Sequence, residues 1–160
     1  MGDPVVRPYI FLEGDMSEQI RPLAICLFRQ GQRILVAEWY DPLKREQFYR
    51  PLGGGIEFGE HGEETVQREL MEEIQAEVED IHYLFTLENI FTFNGRRGHE
   101  IVMVYDGRLK DAALYAREVI EGVEFDPFRN APLKAVWKRL DEFGAGKDIL
   151  YPDGLLENLK

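Results

Sequence analysis

Cysteine is nearly absent: Cys26 is the single one in 160 residues, so no internal disulfide can brace the chain. It lies within the apolar run Leu23-Ala24-Ile25-Cys26-Leu27-Phe28, where a thiol reads as a small core side chain. No apolar stretch approaches the roughly 20 residues of a membrane-crossing helix. The first fifteen residues, carrying Asp3, Glu13 and Asp15, lack the basic start and apolar stretch of a secretory leader. A cytoplasmic location and no membrane partner are therefore expected. Basic runs are also missing, none being longer than a pair such as Arg96-Arg97, and the formal net charge is −11. Few polymer phosphates would be neutralised, which argues against long nucleic acid as a partner. A small anionic ligand remains open to an acidic protein when a divalent cation mediates the contact.

What is present is 44% hydrophobic and 31% charged residues, a mixture that folds unaided. The length suits one domain. Residues 1–18, interrupted by Pro4, Pro8, Gly14 and Asp15, read as a variable lead-in, and 19–160 as a single domain. Ile20 to Phe28 is expected to be a buried strand, with a turn at Gln30-Gly31-Gln32 and a second strand from Arg33 to Tyr40 closing a hairpin. A short strand, Gln47 to Arg50, runs into Pro51-Leu52-Gly53-Gly54-Gly55. From Gly62 to about Ala76, Val66, Leu70 and Ile74 recur every fourth residue and form one stripe of a helix. Val78 to Phe93 and Glu100 to Leu109 read as an antiparallel pair around Asn94-Gly95-Arg96-Arg97-Gly98. Ala135 to Arg139 is a further strand, Leu140 to Phe143 a helical turn, and Asp153 a cap for a final helix through Leu159. Strands enclosing one strong helix, with another at the C-terminus, favour a mixed sheet flanked by helices, an α/β or α+β layering.

The chemistry concentrates in one constellation: Gly54, five residues, Glu60, seven residues, then Arg68-Glu69-Leu70, one residue, and Glu72-Glu73. At about 100° per residue, Glu69, Glu72 and Glu73 share one helical face beside the apolar stripe. Like charges three and four apart weaken a helix by a few tenths of a kcal/mol per pair, unless a positive group sits against them. Arg68 offsets part of this; a divalent cation would do so better. Hard cations such as Mg²⁺ take oxygen ligands, typically one or two carboxylates with water and substrate phosphate. The flexible Gly53-Gly54-Gly55 backbone can bring a carbonyl close to such an ion. A solvated acidic face is the bland alternative for any one of these residues. Yet six fixed residues at fixed spacing arise by chance only about 10⁻⁶ times per starting position, even allowing for the glutamate-rich composition.

Pro51-Leu52-Gly53-Gly54-Gly55-Ile56-Glu57-Phe58-Gly59-Glu60, followed by Arg68-Glu69-Leu70-Met71-Glu72-Glu73, resembles the Nudix box, spanning Gly54 to Ala76. That family comprises hydrolases of nucleoside diphosphates linked to another moiety. The resemblance implies an α/β/α sandwich with a mixed β-sheet. It also implies catalytic Mg²⁺ or Mn²⁺ bound by Glu69, Glu72 and Glu73 with the Gly53 carbonyl. Arg68 would steady the glutamates, while Gly54 and Glu60 would support the loop and helix. The pattern departs at its end, where Gln75 replaces the usual glycine and Ala76 the usual larger aliphatic residue.

Hydrolysis of a phosphoanhydride needs an oriented water, positive charge on the attacking and leaving oxygens, and a carboxylate to accept the proton. Glu69, Glu73 and an acidic residue outside the box are candidates for the last role; Glu100 leads the external ones and Glu118 follows. Arg50, just before the glycines, and Arg21, in the first strand, are candidates to bind substrate phosphate. Trp39, Tyr40, Phe48, Tyr49, Phe91 and Phe93 offer stacking surfaces, but aromatics in alternating strands more often fill the core. His61, His82 and His99 lack metal-site spacing. The expectation is thus a metal-dependent hydrolase of a small-molecule diphosphate. The competing reading is a non-catalytic nucleotide or metabolite sensor on the same fold. A diphosphate isomerase sharing the box is disfavoured because Cys26 is a core residue. The leaving group and the oligomeric state are not legible, a homodimer being among the states left open.

Overall fold

Leu23, Ile25 and Leu27 project to one side of their strand and Ala24, Cys26 and Phe28 to the other, and all six are buried. A strand covered on both faces must lie in a middle layer. The computed structural model describes residues 19–126 and 129–160. In it this strand, β1 (Ile20–Gln30), is joined by β2 (Arg33–Asp41), β3 (Glu46–Gly55), β4 (Val78–Phe93), β5 (Arg96–Leu109), β6 (Val119–Asp126) and β7 (Arg129–Arg139). They form a seven-stranded sheet in the order β4-β5-β1-β3-β2-β7-β6. β1 and β5 run parallel and the remaining pairs antiparallel, so the sheet is mixed.

On one face, helix α1 (Gly62–Ile74) lays Val66, Leu70 and Ile74 against Ala24, Cys26, Phe28, Leu35 and Leu52. Complete burial of Val66 and Leu70 stabilises by about 1.5–3 kcal/mol each. On the other face, the short helix α2 (Leu155–Leu159) packs Leu155 and Leu156 over Leu23, Ile25, Val102 and Val104. The result is the expected α/β/α layering. Among the described residues no helix is long and apolar enough to cross a membrane.

The glycine run extends β3 instead of leaving it. Leu52, Gly53 and Gly54 pair with Cys26, Ile25 and Ala24, because the open edge of β1 needs backbone partners and side chains there would obstruct them. A Cβ on Gly53 would lie 2.1 Å from the Ala24 carbonyl oxygen, and its φ of +145° disfavours any other residue. β3 is therefore shared: Glu46 to Pro51 pair with β2, and the glycine end with β1. The expected hairpin of β1 and β2 survives only at its tip, Arg29 with Ile34 and Gln30 with Arg33, since β3 occupies the space between them further along.

Three further differences from the sequence reading concern local structure. Strand β6 was not expected, and β7 begins well before Ala135. The β4–β5 turn is confined to Asn94-Gly95, with pairing resuming at Arg96 opposite Phe93. The last helix starts after Gly154, in a left-handed conformation, and has no side-chain cap from Asp153. The end of α1, by contrast, keeps the left-handed geometry of a glycine cap although Gln75 stands there, with φ 55° and ψ 37°. The Gln75 amide donates to Met71 O at 3.0 Å and the Ala76 amide to Leu70 O at 3.2 Å, closing off the final carbonyls. The lead-in expected over residues 1–18 lies outside the described residues.

Candidate active site

The start of α1 is fixed by its own acidic residues. Glu63 and Glu64 lie in the first turn, where the helix dipole favours negative charge, and the Glu64 carboxylate accepts from the His61 amide at 2.7 Å. A half-buried cross-link then joins this helix to the preceding loop. Arg68 donates to Glu60 through Nε at 2.8 Å and Nη2 at 3.0 Å, to the Gly55 carbonyl at 2.9 Å, and to Glu69 Oε1 at 3.0 Å. Glu60 also accepts from the Thr65 hydroxyl and the Glu57 amide. The Arg68 hydrogen bonds, with those of Thr65 and Glu57, hold the Glu60 carboxyl down at about 2 despite partial desolvation. One guanidinium thus ties the glycine strand, the loop and the glutamate face together.

The three helix glutamates do not share one environment. Glu72 is 43% exposed and pairs with Arg68 at 3.3 Å. Glu69 is half-buried, and its carboxylate sits where a Cβ on Gly54 would be, 2.4 Å away. Burial pushes its carboxyl up, Arg68 pulls it down, and Glu72 pushes it up further. Glu73 is 3% exposed, and neither of its carboxylate oxygens has a hydrogen-bond partner. Burial, then the charges of Glu124 and Glu69, raise its carboxyl well above the ordinary range.

Glu124 comes from β6. That strand passes directly beside the last turn of α1: a Cβ on Gly122 would lie 2.0 Å from the Glu73 carbonyl oxygen. The close approach brings Glu124 to Glu73 and to a cleft of about 50 Å³. The residues lining this cleft include Glu69, Glu73, Glu124, Glu100, the glycines, Arg21, Arg50 and Trp39. Of the residues singled out in the sequence, Gly53, Gly54, Glu69, Glu73, Arg21, Arg50 and Glu100 therefore converge on one space. Glu60 and Arg68 stand behind it, and Glu72 is not among the lining residues. Glu118 is exposed and also does not line the cleft. Phe48 and Tyr49 are core residues, whereas Trp39 faces the cleft, stacked on Phe48 at 6.2 Å and met edge-on by Phe93 at 6.1 Å.

Glu124 was missed because its strand was. The available signal was the β-branched and aromatic content of Val119-Ile120-Glu121-Gly122-Val123-Glu124-Phe125.

Among the described residues, no group of three His, Cys, Asp or Glu side chains stands in ready ligand geometry. Mg²⁺ asks for less, since one or two carboxylates suffice when water and phosphate complete the shell. Glu73, buried and without a hydrogen bond, beside Glu69 and Glu124, is a donor set that fits a hard divalent cation.

Comparison with known proteins places this geometry in a family. The NUDIX domain matches residues 19–147. Among solved structures, a NUDIX hydrolase from Nitrosomonas europaea superposes with a TM-score of 0.59 at 17% identity, covering 88% of this chain and 86% of the other. A MutT NUDIX hydrolase from Burkholderia pseudomallei gives 0.52 at 22% identity, covering 89% and 100%. Both likenesses speak to the fold. In sequence, the chain is 39% identical over 66 residues to the NAD-capped RNA hydrolase NudC of Pectobacterium carotovorum subsp. carotovorum (strain PC1), covering 41% of this chain and 25% of the relative. It is 40% identical over 65 residues to the mitochondrial NAD(P)H pyrophosphatase NUDT13 of Homo sapiens, covering 41% and 18%. The chain thus spans a quarter or less of the length of these curated relatives. With most of its described length inside the family match and the fold shared, the chain belongs to the NUDIX domain family.

Proposed function

We propose that residues 19–160 form one catalytic domain that hydrolyses a phosphoanhydride bond in a nucleoside diphosphate linked to another moiety, with Mg²⁺ or Mn²⁺ held by Glu69 and Glu73. Glu72 and the Gly53 carbonyl complete the candidate ligand set. The observation that carries this reading is the polarity of the cleft. The same cleft is lined by carboxylates, among them Glu73 with both oxygens unpartnered, and by the cationic side chains of Arg21 and Arg50. A diphosphate in this cleft would meet positive charge from the arginines and, once one is bound, from the cation. The family is typically divalent-metal dependent, and membership suggests pyrophosphohydrolase activity. The named relatives favour a dinucleotide such as NAD or NADH within the proposed substrate class.

A bound divalent cation supplies charge for the phosphate oxygens and lowers the pKa of an attached water. The protein's part is positioning. Arg68 keeps Glu69 against Gly54, so the carboxylate enters the cleft in one orientation. Arg21 and Arg50 orient the diphosphate through their planar forks of donors. A cleft carboxylate, Glu69 or Glu73 or one from outside the box, accepts the proton of the attacking water. Trp39 lines the same cleft, its ring centroid 5.9 Å from the Arg50 guanidinium carbon.

The test is a panel of NADH, ADP-ribose, dinucleoside polyphosphates and coenzyme A, with Mg²⁺ and with Mn²⁺, scored by release of nucleoside monophosphate or phosphate. Turnover of at least one member, abolished by excess EDTA, is expected. Full turnover in EDTA would rule out the metal. Binding of panel members with no turnover under either metal would replace the enzyme with the sensor.

A further inference from the structure

Arg50 carries five N–H donors, and none makes a hydrogen bond to the protein among the described residues. Its contacts are an ion pair from Nη2 to Glu100 Oε2 at 3.5 Å and the Trp39 ring, 5.9 Å from the guanidinium carbon to the centroid. The side chain is only 17% exposed and faces the cleft. A guanidinium drawn out of water without hydrogen bonds is unfavourable unless something else uses its donors.

Glu100 is 3% exposed, and the Oε2 that meets Arg50 also accepts from Asn89 Nδ2 at 3.2 Å. Asn89 on β4 lies directly opposite Glu100 on β5. It is buried, and its Oδ1 has no partner. A carboxylate only accepts, so the amide must turn its nitrogen toward Glu100 and leave its oxygen stranded. The fold therefore tolerates a buried orphan acceptor in order to aim one donor at Glu100, whose carboxylate in turn sets Arg50 against Trp39.

We infer that Asn89 and Glu100 are positioning residues that hold Arg50 as a preset receptor for a substrate phosphate, so that Glu100 acts through Arg50 and is not the proton acceptor. The chemical class of the ligand rests on the function proposed above; the positioning chain does not. A proton acceptor needs an oxygen free for the attacking water; Glu100 lines the cleft and is as buried as Glu73, but its Oε2 is already engaged by an amide and a guanidinium, whereas both oxygens of Glu73 are unpartnered. A guanidinium fixed before the ligand arrives loses less side-chain freedom on binding, and its fork suits two phosphate oxygens at once.

The test is calorimetric binding of α,β-methylene-ADP, a diphosphate that cannot be hydrolysed, in the presence of Mg²⁺. It is run on the wild type, Glu100→Gln, Arg50→Gln, their double variant and Asn89→Leu. Glu100→Gln and Arg50→Gln should each weaken binding about tenfold, the scale of one charge-assisted contact. The double variant should be within about twofold of Arg50→Gln, because the two residues act in series. Asn89→Leu should weaken binding while the melting temperature holds, since its stranded acceptor is removed; a purely structural asparagine would lower both together. Should Glu100→Gln not fold, Asn89→Leu alone and combined with Arg50→Gln makes the same comparison. Wild-type affinity in Glu100→Gln, the same loss factor with and without Arg50, or no binding by the wild type would each overturn the proposal. So would the loss of an ionisation from the pH profile of kcat in Glu100→Gln, which would make Glu100 the base. Because the probe is not turned over, a failed substrate panel and a failed positioning chain remain distinguishable.

Discussion

Glu73→Gln separates a carboxylate kept for a cation from one merely trapped in the core. Glu73 is 3% exposed with both oxygens unpartnered, and the charged groups facing it are Glu69 from its own helix and Glu124 from β6. Burial and these charges raise its carboxyl well above the ordinary range, so the folded state holds the proton more tightly than the unfolded chain does. Its contribution to metal-free stability is therefore greatest below the ordinary carboxylate range and declines as pH rises from there through the folded value. Glutamine has the size of the protonated acid and cannot ionise, so the variant should lose this decline. At pH 8 without metal, well past the ordinary carboxylate range, replacing a carboxyl whose burial is unfavourable should be worth at least about 1 kcal/mol. For a chain of this length, each such increment raises Tm by roughly 2–4 °C. Mg²⁺ should raise the wild-type Tm by mass action and the variant's much less. kcat/KM should fall at least about tenfold, or 1.4 kcal/mol in the barrier. The measurements are thermal unfolding across pH with and without Mg²⁺, beside steady-state kinetics. A lower metal-free Tm at pH 8, together with near-wild-type kcat/KM at limiting Mg²⁺, would refute the reasoning.

Gln75→Gly should raise Tm: the left-handed conformation costs a non-glycine residue about 1–2 kcal/mol, offset in part by about 0.4–1 kcal/mol of added freedom in the unfolded chain. Its side chain is exposed, so a neutral or negative result would mean that the strain at this cap is absorbed elsewhere. The depressed Glu60 carboxyl stabilises the fold above the ordinary carboxylate range and loses that effect as pH falls toward about 2, so acid unfolding of Glu60→Gln should show a shallower pH dependence than the wild type. Gly54→Ala should keep the fold but lower kcat/KM, because the new Cβ meets the movable Glu69 carboxylate. Gly53→Ala should instead lower Tm, because its Cβ meets the Ala24 backbone; equal effects on folding in the two variants would contradict this.

The parts of this architecture that were legible in the sequence are those written locally. Val66, Leu70 and Ile74 announce a helix face through spacing alone, and the apolar run at Leu23 to Phe28 announces a buried strand. Gly54, Glu60, Arg68, Glu69 and Glu73 are tied by one short loop and one helix, so their spacing carries their geometry. Less was legible where distant segments meet. Nothing near Gly53 in the sequence says that it will pair with Ile25, and a run of glycines reads as a turn until the partner strand is known. Glu124 reaches the cleft only because Gly122 lets β6 pass against the α1 backbone, a contact between residues almost fifty positions apart. Asn89 owes its role to a cross-strand partner, and its sequence neighbours carry no trace of it.

The two glutamates at the ends of this constellation are treated in opposite ways. Glu60 is saturated by Arg68, Thr65 and the Glu57 amide, and its charge is among the best stabilised in the protein. Glu73, facing Glu69 on its own helix and Glu124 on β6, has both oxygens unpartnered and is held where its charge is unfavourable. Random placement of acidic residues would not divide them so, and a fold selected for stability alone would put an apolar residue at position 73, as it does at 70 and 74. The same helix that gains from Val66 and Leu70 gives up stability at Glu73 above the ordinary carboxylate range, and a cation entering the cleft that Glu73 shares with Arg21 and Arg50 would recover that loss.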